Sequence, residues 1–133
     1  MNKIKLGNKL VSKNSLPYII AEIGVNHECS LKKAKKLILN AKKGGADAAK
    51  FQTYKADLIT SRYARSYWDV KKEKTKNQFE LFKKYDHFDK RHYKELYEYC
   101  KKIKIEFLST PFDEAAVDML NPMVKFYKIS SSD

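Results

Sequence analysis

The chain has 133 residues, of which 43% are hydrophobic and 33% charged, with a formal net charge of +12. This length suffices for one ordinary domain with a real core, and the composition excludes a disordered chain. Apolar runs such as Leu16–Ala21 fall far short of the roughly 20 residues of a membrane helix. No secretory leader is visible in the basic first residues, so no membrane partner and a cytoplasmic location are expected.

Residues 1–16 read as a short lead-in that can form a small hairpin. Tyr18-Ile19-Ile20-Ala21-Glu22-Ile23 is a nearly continuous apolar run, as in a strand covered on both faces. A loop from Gly24 to Cys29 follows, and Ser30 can cap a helix starting at Leu31. In that helix Leu31, Ala34, Leu37, Ile38 and Ala41 form one inward stripe, and Gly44-Gly45 ends it through a left-handed turn. A second strand is expected over Ala48–Thr53. The connection from about Tyr54 to Lys76 is long for a compact domain, a length often tied to function. Helices are predicted over Asn77–Tyr85 and Asp89–Lys102, then a third strand over Ile105–Thr110 closed by Pro111. A short helix over Asp113–Leu120 precedes a fourth strand over Val124–Ile129.

The order β-α-β-α-β-α-β points to an α/β fold with a parallel sheet. Doubly wound sheets and barrels both fit, and both bind ligands at the C-terminal ends of the strands. Polar residues cluster there: Glu22, Lys50, Gln52, Thr110, Lys128 and Ser130. No Gly-rich phosphate loop is present, which counts against a nucleotide-binding sheet. The net charge admits nucleic acid, anionic lipid or an anionic substrate, but the lysines are spread along solvent-facing stretches such as Lys32–Lys43 and Lys71–Lys76. The aromatics show no RNA-binding signature, so no nucleic-acid partner is expected. Cys29 and Cys100 form no metal-binding spacing and read as free thiols.

Four strand-end segments carry a resemblance: AEIGVNH (Ala21–His27), AAKFQTYKAD (Ala48–Asp57), FLSTPFD (Phe107–Asp113) and KISSSD (Lys128–Asp133). Together, in this order, they resemble the N-terminal half of the catalytic barrel in the sialic acid (nonulosonate) synthase family. The resemblance covers residues 17–133. It implies a partial (β/α)8 TIM barrel made of its first four βα units, and condensation of phosphoenolpyruvate with an N-acetylated hexosamine of the N-acetylmannosamine type. Phosphate is released in that reaction. It further implies a divalent metal, manganese or magnesium, with ligands expected outside this chain, and a homodimer for the full-length family enzyme.

By the same resemblance, Lys50 and Lys128 hold phosphoenolpyruvate, and Thr110 and Ser131 donate hydroxyls to its phosphate. Glu22 and Asp133 stand at the family's two acidic positions, suited to handling the attacking water and charge at C2. Asp133 replaces a glutamate found in several relatives. Gln52 and Phe112 are expected to touch substrate and shape the pocket wall. Plainer alternatives stand beside these readings: a structural ion pair between Lys50 and Glu22, and a strand-end cap from Thr110 to Phe112 or Asp113. His27 reads as a loop hydrogen-bonder, and His87 and His92 as surface residues.

A full barrel takes roughly 250 residues. The second half of the barrel and a C-terminal antifreeze-like domain are therefore expected to be missing, through truncation or fragmentation, and the isolated chain is expected to be inactive. Two further readings are another phosphoenolpyruvate-dependent aldol-type barrel acting on a phosphorylated sugar, with Arg62 and Arg65 as candidate contacts, and a non-catalytic basic anion-binding module.

Overall fold

The computed structural model describes residues 3–131. Ile4–Leu6 (β1) and Lys9–Val11 (β2) form the antiparallel hairpin, with Ile4 opposite Val11. Its turn needs Gly7, whose φ is +57° and whose position is packed directly on the Glu106 side chain. Lys9 bonds Asp47 at 3.0 Å, and the same carboxylate accepts the Ile19 N–H at 2.8 Å. The hairpin is thereby tied to the N-terminal ends of the strands that follow.

Ile20–Gly24 (β3), Ala48–Thr53 (β4) and Glu106–Pro111 (β5) make a parallel three-stranded sheet in the order β3-β4-β5. The helices are Leu31–Lys43 (α1), Ala56–Ile59 (α2), Gln78–Tyr85 (α3), Lys90–Ile103 (α4) and Glu114–Leu120 (α5). Side-chain caps start most of them. Ser30, Asn77, Asp89 and Asp113 accept backbone N–H groups that the first turns leave unpaired. At the other end of α1, Gly45 takes the left-handed turn at φ +83°.

Strand alternation divides the sheet into two faces. Ala49, Phe51, Ile105 and Phe107 join Ala34, Ile38, Leu96 and Cys100 in the core between sheet and helices. Ala48, Lys50, Leu108 and Thr110 are also buried, yet Lys50 and Thr110 bond each other on the opposite face. Cys29 and Cys100 are free thiols, and burial together with nearby Glu106 pushes the Cys100 thiol up to about 12.

The expected fourth strand does not form. Val124–Ile129 belongs to no strand in the described residues. Turn bonds from Met123 and Val124 to the Leu120 carbonyl start this segment, and its side chains then find other partners. Lys125 bonds Glu106 and Asn8, Phe126 meets the edge of Tyr18, and the Tyr127 hydroxyl reaches Val117 and Asn121. The described sheet therefore keeps β3, the expected first strand, as one edge, and has β5, the expected third strand, as the other in place of the fourth. The long connection after β4 also holds structure that periodicity did not reveal. It contains α2 and an isolated bridge between Arg65 and Asn77. No described helix is long and apolar enough to cross a membrane.

Candidate active site

The parallel register fixes which strand-end residues meet. Glu22 lies opposite Lys50, and Gln52 opposite Thr110. Lys50 is 6% exposed, and its ammonium forms an ion pair with the Glu22 carboxylate and stands 3.5 Å from Thr110 Oγ1. Burying an ammonium is costly without an anion and hydrogen-bond acceptors. Glu22 meets that need in part, but its side chain is 53% exposed and remains open to solvent. The result is a buried cation paired at the rim with a solvent-exposed carboxylate.

The two plainer alternatives divide. The Lys50–Glu22 ion pair exists. The strand-end cap by Thr110 does not: Phe112 donates its N–H to the Thr53 carbonyl, and Asp113 itself caps α5 through Ala116. Gln52 is half-buried beside Gly24, and its backbone carbonyl accepts the Tyr93 hydroxyl at 2.9 Å. Phe112 is half-buried with its ring edge-on to Tyr54.

Two other expected site residues, Lys128 and Ser131, are not brought in. Lys128 is exposed and makes no ion pair among the described residues, because the strand that would aim it does not form. Ser131 is exposed, and Asp133 lies outside the described residues. Among the described residues no group of three His, Cys, Asp or Glu could hold a metal ion.

His27 is a loop hydrogen-bonder, since its Nδ1 accepts the Cys29 N–H at 3.1 Å. It is also part of the core: 1% exposed and stacked on Phe88 with ring centroids 4.3 Å apart. Burial and the nearby Lys33 charge lower its pKa to about 4, so the ring is neutral. His92 corrects its reading as a plain surface residue. It is half-buried and completes the capping box of α4 with Asp89, 2.7 Å away. His87 is exposed.

Sequence reasoning missed the support behind this rim. On the helix side, Thr53 and Ser109 share a buried hydroxyl hydrogen bond of 2.6 Å that joins β4 to β5. It also missed the bulge in β3, where the register shifts between Glu22 and Gly24. The signal available was the glycine directly after the last apolar residue of the strand. A cavity of about 540 Å³ lies at the other end of the sheet, lined by residues including Lys9, Asp47, Lys104 and Glu106, and contains none of the rim residues.

The geometry has recognisable relatives. N,N'-diacetyllegionaminic acid synthase from Legionella pneumophila is 40% identical over 87% of this chain and 33% of its own length. N-acetylneuraminate-9-phosphate synthase from Mus musculus is 37% identical over 87% of this chain and 33% of its own length. A crystal structure of N-acetylneuraminic acid synthetase from Leptospira borgpetersenii, in complex with citrate, superposes with a TM-score of 0.81 at 32% identity. It covers 99% of this chain and 42% of that one. The chain thus spans about a third of the length of the curated relatives it matches. Residues 37–133 match the NeuB family, and with relatives at this level of identity the chain belongs to that family.

Proposed function

We propose that this chain forms the phosphoenolpyruvate-holding part of a nonulosonic acid synthase, within the first βα units of a (β/α)8 barrel. The observation that carries the proposal is the buried Lys50 ammonium at the C-terminal end of β4, flanked by Thr110 and a half-exposed Glu22. Ligand sites of parallel α/β folds lie at that edge.

In this reading an anionic group of phosphoenolpyruvate takes the place of the Glu22 carboxylate on Lys50, and Thr110 donates its hydroxyl to the same ligand without adding charge. A charge-assisted bond in a desolvated setting is strong and fixes the ligand's position. Glu22, released from Lys50, is then free to act on water. C3 of phosphoenolpyruvate attacks the aldehyde carbon of an N-acetylmannosamine-type sugar, water adds at C2, and phosphate leaves with cleavage of its C–O bond. Lys128, Ser131 and Asp133 keep the roles the family resemblance gives them, as part of the proposal. The family's divalent metal has no fitting ligand group among the described residues.

A phosphorylated acceptor needs free cations near the rim. Arg62 is 76% exposed and pairs only loosely with Asp57 at 3.5 Å, so Arg62 and Arg65 stay candidates for that contact and the phosphorylated-acceptor reading stands beside the first. Calorimetric titration of the chain with phosphoenolpyruvate tests the reading. Saturable binding is expected, weakened at least roughly tenfold in Lys50→Met, the loss of one charge-assisted contact. Equal binding by both proteins would overturn it.

A further inference from the structure

The bulge in β3 sits beside the Lys50–Glu22 pair. Glu22 is opposite Lys50, but the next paired residue, Gly24, is opposite Phe51, so Ile23 is the extra residue. Bulges commonly re-aim a side chain next to a site. Gly24 is buried and has a φ of +54°, a conformation that side chains other than Asn and Asp rarely adopt. A Cβ at this position would stand 3.3 Å from Glu22 Oε1 and 3.8 Å from Gln52 Oε1. The space beside Gly24 is therefore the space into which the Glu22 carboxylate turns when it reaches Lys50, and Gln52 borders it.

We propose that Gly24 is a positioning residue: its missing side chain keeps open the space through which the Glu22 carboxylate reaches the buried Lys50 ammonium. The link to substrate binding rests on the function proposed above, whereas the geometric claim does not. A single methyl group asks the carboxylate to give by only a few tenths of an ångström. A longer side chain fills the space. Asn is the informative replacement because it tolerates the left-handed backbone, which separates filled space from backbone strain.

The test is the rate at which Lys50 is acylated by acetic anhydride, read by peptide mass spectrometry, in the free chain. Lys50 is expected to react slowly in the wild type and faster in Glu22→Ala, which removes its anion. Gly24→Asn is expected to raise the rate roughly fivefold or more, the scale of one lost pairwise coupling, and Gly24→Ala much less. In the Glu22→Ala background Gly24→Asn should add nothing, because its partner is gone. Lys9, paired with Asp47 at the far end of the sheet, serves as the internal reference. A wild-type rate in Gly24→Asn would overturn the proposal. So would an equal increment without Glu22, a larger effect in Gly24→Ala, or a parallel rise at Lys9. In a separate arm, failure of phosphoenolpyruvate to protect Lys50 in the wild type would count against the proposed function and leave the role of Gly24 standing.

Discussion

Lys50 is held where an apolar residue would pack more cheaply. A buried ion pair is weak evidence for stability, and its replacement by an apolar side chain of similar volume is often neutral or stabilising. Because Glu22 is half-exposed, Lys50→Met leaves no stranded buried charge. Its melting temperature should equal or exceed that of the wild type in a thermal scan, while phosphoenolpyruvate binding is weakened at least roughly tenfold. A marked fall in melting temperature would assign Lys50 to the scaffold. The alternation that puts Lys50 and Gln52 on one face was legible in the sequence. The Lys50–Glu22 ion pair was anticipated as the plainer alternative to a ligand-holding role, although the inter-strand register that sets it is encoded in no local pattern.

His27 gives a second residue-scale test. Its folded pKa, about 4, lies below the ordinary value of 6.5, so the unfolded chain binds more protons between those limits. The contribution is fully present above about pH 6.5 and is lost as pH falls toward 4. The span corresponds to about 3 kcal/mol. Urea unfolding at pH 7 and pH 4.5 should show that loss, and His27→Phe, which keeps an aromatic ring on Phe88, should flatten the dependence. An unchanged slope in the variant would assign the pH effect to other groups.

At the scale of elements, β4 and β5 are joined at the rim by more than their backbone ladder. The Thr53–Ser109 hydroxyl bond is buried, so removing one partner strands the other. Thr53→Val should cost about 1–3 kcal/mol in urea unfolding. Adding Ser109→Ala should recover part of that cost, the coupling expected of groups in contact. Additive costs would contradict the bond. Most elements were legible because their signals are local: the apolar run that leads into β3, and the Ser30 cap that starts α1. Two elements were not. Val124–Ile129 has strand-like composition, but Lys125, Phe126 and Tyr127 are committed to side-chain partners away from a ladder. α2 has only four residues, too few for a 3.6-residue periodicity to register.

For the whole molecule, the charge of +12 is expected to form no concentrated polyanion-binding face. Lys33, Lys35, Lys83, Lys84 and Lys101 are paired with acids at separate places on the surface. Such exposed pairs add little stability, but they scatter the charge. Retention on duplex DNA should therefore vanish at moderate salt, and a steep, sustained salt slope would revive the basic-module reading. In the proposed function the excess charge acts chiefly through Lys50, because that ammonium is buried where parallel α/β folds place ligands. The most direct measurement is a crystal structure of the chain soaked with phosphoenolpyruvate. The expected result is ligand oxygens about 3 Å from Lys50 Nζ and Thr110 Oγ1, with the Glu22 carboxylate turned away. Ligand held instead in the cavity beside Lys104, with Lys50 still paired to Glu22, would contradict the account.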